Sequence, residues 1–230
     1  MTTTDTKTHI VIFSHGFGVR KDDGGLFAAI SRAVPVDKNI MFDYYPIHHK
    51  SNTVTATPLN EQAHKLRKII NETRAEYPEA TIDLVCHSQG CLVAALVKPR
   101  GIRKVIMLTP PTDVSAEVVA TQLGSRLESP IDIEAVRTRL PRADGSTTVI
   151  HPEYWQSLDG IKPVKLYNLF ARVTALRIIN AKQDEVFGDG DFEGIDPSIS
   201  MVGLEGDHNF SETESRQRML YILRKELLNS

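Results

Sequence analysis

The chain has 230 residues, 41% hydrophobic and 24% charged, with a formal net charge of −2. That length buries one substantial core, and an open α/β sheet of this size is expected to form one domain, here residues 1–230. The balance is that of a soluble globular protein with no polyanionic partner: Lys and Arg are scattered, without the dense stripe that nucleic-acid binding needs.

Residues 1–8 are Thr-rich and polar, with no basic segment followed by an apolar run, so they do not read as a signal peptide. No apolar stretch approaches the ~20 residues that cross a bilayer. A cytoplasmic protein with no membrane partner is expected. Residues 9–13 (HIVIF) read as a first buried strand ending in the turn Ser14-His15-Gly16-Phe17-Gly18. Residues 25–34 suit a short helix stopped by Pro35, and residues 39–45 (NIMFDYY) a strand ended by Pro46. His48 and His49 then fall in a polar loop. Ala63, Leu66, Ile69, Ile70 and Thr73 recur at three- and four-residue steps, which predicts an amphipathic helix over 60–76. Residues 81–85 (TIDLV) predict a strand, residues 89–97 a helix apolar nearly all round, and residues 102–108 (IRKVIML) another strand closed by Pro110-Pro111.

From 112 to about 173 the rhythm changes to prolines and short helical pieces with no convincing strand, which predicts a helical cap over one end of the sheet. Strands resume at 175–180 and 199–204. Ser211-x-x-Glu214 then reads as a capping box opening a C-terminal helix with Leu220, Leu223 and Leu227 on its apolar face. Alternating strands and helices predict a mostly parallel sheet of about six strands with helices on both faces.

The strongest chemical signal is Cys86-His87-Ser88-Gln89-Gly90, between a strand and a helix. A serine on such a tight turn is held clear of the backbone at the carboxyl edge of the sheet, where ligands bind in open α/β folds. The usual pattern is G-x-S-x-G. Here the first glycine is Cys86, whose Cβ is expected to tighten the turn. The plainer alternative is that Ser88 only caps the helix after it.

A serine hydroxyl needs a base oriented by a third group. His208 follows the last strand, whereas His9 starts a strand, His64 lies on an exposed helix face, His151 is in the cap, and His87 is expected to point away from the nucleophile. Asp184 follows strand 175–180 and can accept the Nδ1 hydrogen of the histidine. Glu185, Asp189 and Asp191 lie close by, so a merely solvated acidic loop stays open. The oxyanion of acyl transfer needs preorganised N–H donors. The amide of Gln89, at a helix N-terminus, is one candidate. The amide of Phe17, between two glycines, is the other, with His15 buttressing that turn. Cys86 and Cys91 match neither a C-x-x-C nor a zinc spacing and read as small buried hydrophobes. His48-His49 beside Asp43 is too weak a constellation for a metal.

The four segments His15-Gly16-Phe17-Gly18, Cys86-His87-Ser88-Gln89-Gly90, Gln183-Asp184-Glu185-Val186 and Gly206-Asp207-His208-Asn209-Phe210 resemble, in that order, the α/β-hydrolase superfamily. Within it the chain is similar to bacterial feruloyl (cinnamoyl) esterases and related small carboxylesterases. The resemblance implies an α/β-hydrolase fold, the family's order of nucleophile, acid and histidine, a small-molecule ester as partner, and no metal or organic cofactor. It also implies Tyr154, Trp155 and Tyr167 as counterparts of cap residues over an acyl pocket, against the alternative of plain cap packing. The family's N-terminal β-hairpin is expected to be missing, since only eight residues precede His9. The expected activity is that of a serine esterase. A thioesterase, a peptidase with the same triad, a non-catalytic ligand-binding scaffold and a homo-oligomer all stay open.

Overall fold

The structure is a computed structural model that describes residues 7–142 and 144–228; most of the Thr-rich start lies outside the described residues. In chain order the elements are β1 (His9–Ser14), α1 (Leu26–Ala33), β2 (Lys38–Met41), β3 (Ile47–His48), β4 (Thr53–Ala56), α2 (Leu59–Glu76), β5 (Thr81–His87) and α3 (Gln89–Val97). They continue with β6 (Lys104–Leu108), α4 (Ala116–Leu127), β7 (Thr138–Pro141), β8 (Thr147–Ile150), α5 (Pro152–Gln156), α6 (Pro163–Ala171), β9 (Ala175–Ala181), β10 (Ser200–Leu204) and α7 (Thr213–Leu228).

The main sheet has six strands in the order β10-β9-β6-β5-β1-β2, every pairing parallel. Side chains alternate across a strand, and β1 shows what that does here. Ile10 and Ile12 enter the core shared with α2, α3 and α6, while Val11 and Phe13 enter the one shared with α1 and α7. Both faces are therefore covered, which is why the inner strands β1, β5, β6 and β9 read as largely apolar runs. Helix α3 is buried over residues 89–95, as its all-round apolar sequence demands. It comes down so closely on the end of β1 that a Cβ on Gly90 would lie 2.0 Å from the Ser14 carbonyl oxygen. Only glycine fits there.

Strand β2 ends at Met41 rather than at Tyr45, and β6 starts at Lys104 rather than at Ile102. Tyr44 leaves β2's line because its hydroxyl bonds Ser14 Oγ (2.7 Å) and its amide donates to His15 Nε2 (2.9 Å). The expected capping box is also replaced. Ser211 gives its hydroxyl to the Asp207 carboxylate, and Glu214 pairs with Arg218 one turn along.

The largest correction concerns the cap. It is not purely helical, because β7 and β8 form a hairpin within it. That hairpin joins β3 and β4, from the segment expected to be a polar loop, in a second sheet of order β3-β4-β8-β7. Val54, Leu140 and Ile150 from this sheet share one core cluster with Leu84 and Val105 of the main sheet. The second sheet and α4 thus stand over the carboxyl ends of β1 and β5.

Candidate active site

Ser88 links β5 to α3 with φ 51° and ψ −128°, a left-handed conformation that a non-glycine residue holds only when its surroundings impose it. Here its amide is fixed to the Leu108 carbonyl oxygen at 3.0 Å, and α3 starts at the next residue. The turn after β1 packs against it: a Cβ on Gly16 would lie 3.2 Å from the Ser88 Cβ.

His208 lies in the loop between β10 and α7, and its Nδ1 is 2.7 Å from Asp184 Oδ2. Asp184 Oδ1 accepts the amides of Val186 (2.7 Å) and Phe187 (2.9 Å), so the carboxylate is locked in place by its own loop. The backbone amide of His208 donates to the Glu185 carboxylate at 2.9 Å, which fixes His208 from a second direction. An N–H facing a carboxylate makes Nδ1 the protonated nitrogen and leaves Nε2 a lone pair. Burial lowers the His208 pKa from its ordinary value, a nearby His87 lowers it further, and the Asp184 bond only partly offsets this. Burial pushes Asp184 up, but the bonds from His208, Phe187 and Val186 outweigh it and hold the acid below the usual carboxylate range.

Ser88 and His208 line one cavity of about 1130 Å³, together with Gly16, Phe17 and Gln89. Asp184 stands behind His208. The two candidate oxyanion donors, Phe17 and Gln89, therefore belong to the same wall as the serine. His15 does buttress the turn: its Nε2 accepts the Tyr44 amide and its Nδ1 donates to the Gly16 carbonyl oxygen at 2.9 Å.

The three aromatic cap residues separate. Tyr154 is on the cavity wall with its ring against Phe17 (4.9 Å), but its hydroxyl donates to Gln89 Oε1 at 2.6 Å. Gln89 Nε2 in turn donates to Tyr45 Oη (3.1 Å) and Gln62 Oε1 (2.8 Å), so this polar network orients α3. Trp155 and Tyr167 are buried in the core and are not among the cavity-lining residues; Tyr167 donates its hydroxyl to the Pro111 carbonyl oxygen at 2.7 Å. Both follow the cap-packing alternative, since each sits on the face of its helix turned to the core.

Three cavity-lining contributions were not legible as site residues. His87 lines the cavity with its ring 4.9 Å from that of His208, and its two ring nitrogens face Asp23 and the His208 carbonyl oxygen rather than Ser88. Asp23 lies in the turn before α1, with its Oδ2 2.7 Å from His87 Nδ1. Arg142, in the β7–β8 turn, caps the carbonyl oxygens of Phe17 and Gly18 from above, joined by Thr148, whose hydroxyl donates to Gly18 at 3.0 Å. The carboxylate partner of a histidine can come from anywhere in a sequence, and Asp23 carries no sequence signal beyond its place before Gly24-Gly25. Among the described residues no group of three or more His, Cys, Asp or Glu side chains could hold a metal ion, and no helix is long and apolar enough to cross a membrane.

Solved structures with the same architecture span almost the whole chain. The esterase domain of a Rhodothermus marinus protein superposes with a TM-score of 0.65 at 18% identity, covering 97% of this chain and 88% of that one. Est1E from Butyrivibrio proteoclasticus, solved with ferulic acid bound, gives a TM-score of 0.70 at 15% identity, covering 98% and 90%. An alpha-beta serine hydrolase homologue from Coxiella burnetii gives 0.57 at 13% identity, covering 96% and 85%. The chain has the α/β-hydrolase fold. In that fold Ser88 occupies the strand-to-helix turn after the strand β5, and the loops after β9 and β10 carry Asp184 and His208. At the level of sequence, a family profile described as the T6SS Tle3 phospholipase effector domain matches residues 45–129, a stretch that includes Ser88. No curated protein matches the sequence.

Proposed function

We propose that the chain is a serine hydrolase that cleaves a carboxylic ester through an acyl-enzyme on Ser88. The observation that carries this reading is the buried His208–Asp184 pair opening onto the same cavity as a serine on a strained strand-to-helix turn. In the proposed reaction His208 Nε2 takes the Ser88 proton as Oγ attacks the ester carbonyl, and Asp184 stabilises the imidazolium that forms. The amides of Phe17 and Gln89 receive the oxyanion. Collapse of the tetrahedral intermediate breaks the bond to the alcohol oxygen, which takes the proton from His208. Water, deprotonated by the same nitrogen, then attacks the acyl-enzyme, and Ser88 leaves with that proton restored.

Leu92, Val119, Leu123, Leu127 and Leu158 give the cavity an apolar side suited to an acyl group. A second reading, a lipid acyl ester as substrate, is favoured by the phospholipase profile over residues 45–129. Hydrolysis of nitrophenyl esters across acyl chain lengths, with aryl esters and phospholipids beside them, tests both. Turnover by the wild type that Ser88→Ala abolishes is expected, together with fluorophosphonate labelling of Ser88. No turnover of any ester and no labelling would refute the hydrolase reading. Cleavage confined to long acyl chains would select the lipid substrate.

A further inference from the structure

His87 and Asp23 form a second buried imidazole–carboxylate pair in the cavity wall, in addition to His208–Asp184. Their side chains are 2% and 3% exposed, so water cannot satisfy either ring nitrogen of His87. Nδ1 faces Asp23 Oδ2 at 2.7 Å, and Nε2 faces the carbonyl oxygen of His208 at 3.1 Å. A backbone carbonyl only accepts, so Nε2 must carry a hydrogen. The same carbonyl accepts the Thr109 hydroxyl at 3.2 Å, a second donor on its other lone pair. One further proton must lie between Nδ1 and Asp23. Asp23 Oδ2 also accepts the Gly16 amide at 3.1 Å, and a donor at that oxygen favours the carboxylate. The proton therefore belongs to the ring.

We propose that His87 is a positioning residue acting as a buried imidazolium: paired with Asp23, it ties the backbone of the base His208 to the turn at Gly16 and keeps the His208 ring neutral. The first half follows from connectivity. Asp23 holds the Gly16 amide, His87 holds Asp23, and His87 Nε2 holds the His208 carbonyl oxygen, so one charged pair spans the oxyanion turn and the base loop. The second half follows from proximity. A cation whose ring centroid is 4.9 Å from that of His208 opposes a second positive charge there. The charged and titratable groups around His87 are Asp23 from the turn before α1, His208 from the loop after β10 and Asp184 from the loop after β9; His15, after β1, faces Asp23, and Glu185 faces His208. Burial alone lowers the His87 pKa, but Asp23, the His208 carbonyl and Asp184 outweigh it and leave His87 above its ordinary value.

The catalytic half of this role rests on the hydrolase reading; the charge state does not. The test is nitrogen-15 NMR of the histidine-labelled chain, in the wild type and in Asp23→Asn and His87→Gln. Two protonated ring nitrogens on His87 are expected in the wild type at neutral pH, and one in Asp23→Asn. The titration midpoint of His208 is expected to rise by about half a unit or more in both variants, further in His87→Gln, where the Asp23 charge remains. If turnover is found, the acid limb of kcat/KM shifts the same way, which a purely structural contact would not cause. A singly protonated His87 in the wild type, or an unmoved His208 midpoint in a folded variant, overturns the proposal. Should His87→Gln not fold, the wild type and the isosteric Asp23→Asn still decide it. None of the NMR readings needs turnover, so they fail or hold separately from the hydrolase reading.

Discussion

The guanidinium of Arg142 donates to the carbonyl oxygen of Phe17, and its Nε donates to that of Gly18 at 3.2 Å. The same guanidinium carbon lies 5.6 Å from the centre of the Phe17 ring. A residue of the β7–β8 turn thus fixes the peptide planes of the turn whose amide is proposed to receive the oxyanion. Arg142→Met keeps much of the apolar stem and removes these donors. Its expected signature in steady-state kinetics is a fall in kcat of about tenfold or more, with a smaller change in KM, because only the transition state uses the turn's alignment.

Asp184 fixes the tautomer of His208, and its own position is set by two backbone amides that a substitution leaves in place. Asp184→Asn is therefore expected to fold normally and to lower kcat by roughly 10³-fold or more, since the amide favours the wrong tautomer. Thermal unfolding measured beside kcat checks both halves. A variant retaining near-wild-type kcat would show that the acid is elsewhere.

The pH dependence follows from the direction of one shift. His208 accepts a proton only when neutral, and burial, with His87 beside it, holds its pKa below the ordinary histidine value. Activity is then lost as pH falls through that lowered pKa and is fully present above it. A profile of kcat/KM should place its acid limb below the range of a free imidazole. A limb at or above that range would mean that the base is more exposed or more strongly paired than its surroundings indicate.

Cys86 replaces the glycine usual two residues before the proposed nucleophile. It lies in β5, outside the positive-φ region, and is completely buried. Its Cβ costs the turn nothing, contrary to the tightening expected from its size, because the strained backbone begins only at Ser88. Burial pushes its thiol pKa up, so it stays protonated and packs as a small apolar group. Cys86→Gly is expected to lose about 1–2 kcal/mol of stability, read from urea unfolding, through lost packing and added chain entropy. Catalysis should change by less than a few-fold.

The four inner strands β1, β5, β6 and β9 were legible because each carries a largely buried apolar run, whereas the edge strands β2 and β10 are half-buried to exposed; Ser88, Asp184 and His208 stood out as candidates because each follows a strand. The second sheet was not legible. Strands β3, β4, β7 and β8 are two to four residues long and rich in Thr, and their decisive pairing joins residues 53–56 to residues 147–150. No local periodicity reports a pairing of that separation. His87 illustrates the same limit at the site. Its position beside Ser88 was plain, but the direction of its ring depends on Asp23, 64 residues earlier, and on the backbone of His208. Trp155 and Tyr167 were drawn toward the pocket by their chemistry, whereas burial of large rings in the core decided their place.

Thr53–Ala56 and Thr147–Ile150 lie side by side in parallel, so the cover of the cavity is woven from segments far apart in the chain. The cap is therefore not a cassette. Excising residues 112–173, or exchanging them for the cap of another hydrolase, would leave β4 with an uncovered edge able to recruit strands from other molecules. A chimera would have to carry its own partner for β4, and any drift of pocket shape in this lineage has to keep that partnership intact.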